Sequence, residues 1–263
     1  MKVNIEHKES IYKLDTDNGI SLSIPIKFNS SNNPKFYDDT NPKLDYFKSN
    51  GKIYKIDNNA GCNVPIISLN IHCQGTHTET ASHIYPQGVK ISEIKNIDFL
   101  PSQIITVSPL GRVTERYHVD YSENDKIITK NMIKDVINSS MNFMECLIIR
   151  TLPNGDFKFG TDYNKVSYGF LSNDAVEHII SIGVKHLIID TPSVDMYDDG
   201  GVLGNHRIFF KDKDGGINKN TITEMAFIPD SVSDGCYFTS IKFLNFDLDS
   251  SPSVPTIFDF EKI

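Results

Sequence analysis

FLSNDAVEHIISIGVKHLIIDTPSVD, residues Phe170 to Asp195, is the stretch on which the architecture turns. Ser172 can cap a helix, Asp174 sits in the first turn where a negative charge suits the helix dipole, and Val176, Ile179 and Ile180 share one face. Gly183 supplies a stop. His186 to Asp190 then reads as a buried strand, and a helix feeding directly into such a strand predicts an α/β or α+β arrangement. Asp190 and Asp195 flank TPSV at the end of that strand, where sites form in α/β proteins.

Upstream, Cys146 to Thr151 (CLIIRT) is a continuous apolar run of strand length, expected to be buried on both faces with Cys146 as a small core residue. Thr129 can cap a helix whose Met132, Ile133, Val136 and Ile137 form one stripe, and Ile104 to Val107 is a further strand. Downstream, a loop from Asp195 to Asn205 leads to an expected strand over His206 to Phe210. KDKDGG at Lys211 to Gly216 has hairpin-turn chemistry, and Glu224 to Ile228, Tyr237 to Phe243 and Thr256 to Phe260 supply more strands. Near the start, Ser10 to Leu14, Ile20 to Ile26, Lys52 to Ile56 and Pro65 to Ile71 also have strand character.

The chain of 263 residues can bury a substantial core, and no convincing linker divides it, so one domain over 1–263 is expected. A net charge of -8 argues against nucleic acid or an anionic membrane as the main partner. No apolar run approaches a membrane span, the first residues lack a signal-peptide core, and the four cysteines form no Cys-x-x-Cys pair. A cytoplasmic, thiol-reducing setting is the expectation. Lys27 to Gly51 is too long for a plain connector. Its aromatics, Phe36 and Tyr37 among them, either line a substrate pocket or anchor the loop to the core.

His72 to His83, HCQGTHTETASH, concentrates the chemistry. In an extended segment side chains alternate, so Cys73, His77, Glu79 and His83 would share one face while His72 points the other way, as a surface bystander. Ile67, Leu69 and Ile71 extend that parity and put Cys73 on the buried side. Cysteine, histidine and carboxylate together suit zinc, and the last two suit manganese. A buried Glu79 would be costly without a cation or donor, which favours a metal, and His83 could remain as an unligated acid or base. His206 and Glu224 each stand where an apolar residue is expected, although both could be exposed strand ends.

These residues resemble the cyclase/kynurenine formamidase family of metal-dependent hydrolases, which carries H-x-G-T-H-x-D-x-P-x-H where this chain has CQGTHTETASH, Cys73 to His83. The likeness continues in SLSIPI at Ser21 to Ile26, LIIRT at Leu147 to Thr151, the Phe170 to Asp195 stretch, NHRIFF at Asn205 to Phe210 and ITEMAFI at Ile222 to Ile228. It implies a mixed α/β protein of the swivelling β/β/α kind, a central barrel-like sheet with helices packed outside, assembled as a homodimer or homotetramer. It implies one or two divalent ions, zinc before manganese. The family's ligand positions fall on Cys73, His77, Glu79, His206 and Glu224, and its general acid/base falls on His83.

This chain departs from the pattern in Cys73 for histidine, Glu79 for aspartate, Ala81 for proline, and a longer His206 to Glu224 interval. The closer H-C-x-G-T-H-T-E pattern resembles a branch of the family without an assigned function. The resemblance implies hydrolysis of a small non-peptide amide, arylformamidase-like, by metal-activated water. The alternatives are a lactam or ester hydrolase, a cyclase, or a homologue that binds metal or ligand without turnover.

Overall fold

The computed structural model describes residues 1–95, 97–111, 113–137 and 143–263. Its centre is a closed barrel of seven strands: β1 (His77–Thr80), β2 (Ile97–Val107), β3 (Cys146–Thr151), β4 (His186–Ile189), β5 (Thr221–Glu224), β6 (Gly235–Phe243) and β7 (Ser250–Phe258). The order around the wall is β6-β2-β3-β4-β5-β1-β7, and β7 pairs with β6 to close it. Neighbours from β2 to β5 are parallel and the remaining pairs antiparallel, so the barrel is mixed.

Alternation along the strands builds two cores. Ile104, Cys146, Ile148 and Ile188 point inward with Ile241 and Ile257. Ile105, Leu147, Ile149, Leu187 and Ile222 point outward against helices α1 (Lys130–Val136), α2 (Asn173–Ser181) and α3 (Gly204–Phe209). The apolar runs read as buried strands are therefore buried on both faces. Ile148 is fully buried, and Ile148→Ala is expected to destabilise the protein by about 2–5 kcal/mol through lost burial and a residual cavity, as a urea unfolding midpoint would show.

The helix expectations around residues 130 and 173 hold: the Thr129 hydroxyl accepts from Met132 N, and the Ser172 hydroxyl accepts from Ala175 N. Others need correction. His206 lies in α3 and not in a strand, because Asp195 accepts from the backbone N–H groups of Asn205 and His206 and so holds the first helical turn. The strand expected over Ile20 to Ile26 shrinks to Ile20–Ser21, since Ile24 N donates to the Thr76 hydroxyl instead of a sheet neighbour. Pro65–Ser68 pairs only with Lys43–Tyr46 in a projecting two-stranded sheet and is exposed along its length. Among the described residues three short α-helices cover the wall, fewer than helices packed all round would require. Among the described residues no helix is long and apolar enough to cross a membrane.

Candidate metal centre

The site forms at the carboxyl end of the parallel strands, on the outer face of the barrel beneath α3. His77 opens β1 directly opposite Glu224, the last residue of β5, so register alone brings the two together. Glu79, two residues on, faces the same way. His77 Nε2 lies 3.5 Å from Glu224 Oε2, and α3 lowers His206 onto the pair, its Nε2 2.8 Å from Glu79 Oε1 and 3.6 Å from Glu224 Oε1.

The other side of Glu79 faces two further histidines. Its Oε2 is 3.2 Å from His72 Nδ1 and 3.8 Å from His83 Nε2. The two imidazoles stack with centroids 4.2 Å apart, and Asp249 Oδ2 lies 3.0 Å from His72 Nε2 and 3.0 Å from His83 Nδ1.

Each histidine thus has one ring nitrogen held by an outer partner and the other turned towards Glu79 or Glu224. His77 Nδ1 is held by the Gly75 carbonyl at 3.0 Å and His206 Nδ1 by Asp195 Oδ2 at 2.7 Å. Outer hydrogen bonds of this kind fix tautomer and ring orientation in metal sites. His77 Nε2, His206 Nε2 and both oxygens of Glu79 are buried, and none has a hydrogen bond of its own. Such atoms are costly to bury unless something else satisfies them. A divalent cation would do so, and the donor set of imidazoles and carboxylates fits one. Glu79 joins both sets, His77/His206/Glu224 and His72/His83.

The parity reading of Cys73 and His72 is overturned. Residues 71–75 form a turn and a bend, and the strand starts only at His77, so alternation does not extend back to either residue. His72 swings in to join His77 and Glu79, whereas Cys73 belongs to no group of potential ligands among the described residues. The Asp38 backbone N–H approaches the Cys73 sulfur, and burial pushes its thiol up to about 11. Cys73 still lines the cavity over the site, about 300 Å³, as do Phe36, Tyr37, His83 and Glu224. Phe36 is buried and Tyr37 exposed, and these two aromatics of the loop of residues 27–51 line this cavity.

Three contributors carried little or no local signal. Asp249 precedes β7 in an unremarkable polar run and meets His72 only through the β1–β7 pairing. Asp195 stood out by position alone, and its partner His206 lies across a loop. His118 forms a further group with Asp195 and Asp199. The carboxylates there already accept backbone N–H groups of Gly201, Val202, Leu203, Asn205 and His206, so this group shapes the loop that carries α3.

Charge is balanced tightly. Burial alone would raise the Glu79 pKa, but the neighbouring His206 and His83 hold it well below the ordinary carboxylate range. Burial opposes a charge on His206, and Glu79 with Asp195 outweighs it, so that its pKa is raised. Burial likewise opposes a charge on His72, yet the carboxylates of Asp249 and Glu79 beside it push its pKa up to about 10. Hydrogen bonds from His72 and His83 in turn hold Asp249 well below the usual carboxylate range.

A ligand imidazole must be neutral, so a cation displaces these protons. Below about pH 10, binding at His72 therefore releases a proton, and apparent affinity is expected to rise with pH by about tenfold per unit for each proton released. Calorimetric titration with zinc at pH 6 and pH 8, in buffers of different ionisation enthalpy, measures this.

Residues 20–196 match the protein family described as "Putative cyclase". Among solved structures, a potential metal-dependent hydrolase with cyclase activity is 17% identical, with 93% of this chain and 98% of that chain aligned at a TM-score of 0.63. Isatin hydrolase A from Ralstonia solanacearum is 14% identical over 92% of this chain and 91% of its own, with a TM-score of 0.60. An isatin hydrolase bound to the product analogue thioisatinate is 12% identical over 93% of each chain, with a TM-score of 0.59. At these identities the likeness is one of fold. No protein of curated function matches the chain.

Proposed function

The chain belongs to this cyclase family, and from that premise we propose that it is a metal-dependent hydrolase of a small non-peptide amide, linear or cyclic. The observation that carries the proposal is the set of buried, unsatisfied atoms on His77, Glu79 and His206 that converge beside Glu224 under a cavity of about 300 Å³. His77, Glu79, His206 and Glu224 would hold the cation, with His72 completing the set in place of Cys73. Without a thiolate the donors suit zinc or manganese. A bound cation supplies a lowered pKa for water and polarises the substrate carbonyl.

The protein's own groups do the rest. His83 is partly exposed at the cavity, with Nδ1 held by Asp249 and Nε2 turned to the site. It accepts the proton of water as the oxygen attacks the carbonyl carbon, then returns it to nitrogen as the C–N bond breaks. The products are a carboxylate and an amine. Asp249 holds the imidazole in orientation and steadies its positive charge. Phe36 and Tyr37 offer an apolar wall for the acyl or aryl part of the substrate and exclude water from it.

Isatin is a cyclic amide, and the isatin hydrolases share this fold, which favours ring-opening of a lactam beside linear amides. The test is turnover of an N-formyl arylamine and of isatin by protein loaded with zinc or manganese, before and after chelation. Metal-dependent formation of a carboxylate is expected. Stoichiometric metal with no turnover across amides, lactams and esters would identify a non-catalytic metal-binding homologue instead.

A further inference from the structure

A second cavity, about 220 Å³, lies at the carboxyl ends of β2, β3 and β4, on the other side of Tyr168 from the metal centre. An apolar cavity of about 150 Å³ holds benzene, so this one takes a substituted ring. Three large apolar side chains at its rim, Leu152, Phe157 and Val166, are exposed by 45%, 54% and 49%. Folding has left them uncovered around an opening.

Its polar interior is selective. Lys158 and Asp190 are both buried and neutralise each other, with Lys158 also donating to Thr151 Oγ1 and the Thr151 carbonyl. Their charges and donors are therefore spent. Two groups are not. Tyr163 is exposed by 7%, its ring lines the cavity, and its hydroxyl has no hydrogen-bond partner among the described residues. Lys126 lines the exposed side and has no ion pair among the described residues. Once the Lys158–Asp190 pair cancels, Lys126 leaves the lining with one unmatched positive charge.

We propose that this cavity is a binding site for a small aromatic carboxylate, distinct from the metal centre, with the ring between the apolar walls and its polar groups on the Tyr163 hydroxyl and the Lys126 ammonium. The metal centre plays no part in the recognition. Tyr168 forms a shared wall: its hydroxyl donates to the Asp195 carbonyl at 2.9 Å, and its ring meets Phe36, which lines the cavity over the metal centre.

Calorimetric titration of the full chain with benzoate, and with neutral benzyl alcohol, tests the site. Benzoate is expected to bind more tightly than benzyl alcohol. Lys126→Gln, a change at an exposed position, should weaken benzoate by about tenfold and remove the preference for the anion, and Tyr163→Phe should weaken it by a similar factor. Glu79→Ala should leave benzoate binding unchanged. No binding at millimolar benzoate overturns the proposal. So does binding that ignores both Lys126→Gln and Tyr163→Phe, or that disappears with Glu79→Ala, which would place the ligand at the metal centre.

Discussion

Replacing Glu79 with alanine is expected to lower affinity for zinc or manganese by at least about 100-fold, because even outer partners of metal ligands are worth 10- to 100-fold and Glu79 is central. One of its oxygens faces His206 and the other faces His72 and His83. Removing it deprives both histidine sets of their shared carboxylate. The loss would be read as metal content after dialysis and as an affinity from competition with a chromogenic chelator. Cys73→Ser is the matching control, since Cys73 joins no ligand group among the described residues and should retain its metal. Full metal retention in Glu79→Ala, or metal loss in Cys73→Ser, would reverse the ligand assignment.

The second large effect concerns proton transfer. His83→Ala is expected to lower kcat by about 100- to 10,000-fold, the usual contribution of a positioned acid/base, while leaving metal content intact. The distinction between His83 and His72 rests on their surroundings. His72 Nδ1 is 3.2 Å from Glu79, within reach of a shared cation, whereas His83 Nε2 stands farther off at 3.8 Å. His72→Ala should therefore lose metal and activity together. Asp249→Asn should lower kcat and also weaken metal affinity by about 10- to 100-fold, because Asp249 orients both His83 and the proposed ligand His72. Undiminished kcat in His83→Ala would end its assignment as the proton carrier.

Much of the frame can be read from local pattern because it depends on local physics. CLIIRT and HLIID are continuous apolar runs of strand length, and such runs are stable only when covered on both faces. Thr129 and Ser172 announce their helices because a hydroxyl there satisfies an otherwise unpaired N–H. His206 misled for the same reason in reverse. RIFF has the apolar character of a strand, and the helix starts there because Asp195, across a loop and outside the segment itself, holds its first turn.

By itself the sequence determined the mixed α/β class, the buried strands and the family, and the family resemblance pointed to His77, Glu79, His206 and Glu224 as a set. Only the tertiary structure decided which neighbour of the Gly-Thr-His run turns inward. Side-chain alternation holds where a ladder of hydrogen bonds keeps the backbone extended, and residues 71–75 have no such ladder. Their turn presents His72 to Glu79 and leaves Cys73 beside the Asp38 backbone. Tertiary structure also supplied Asp249, brought to His72 and His83 by the pairing of β1 with β7, strands separated by most of the chain.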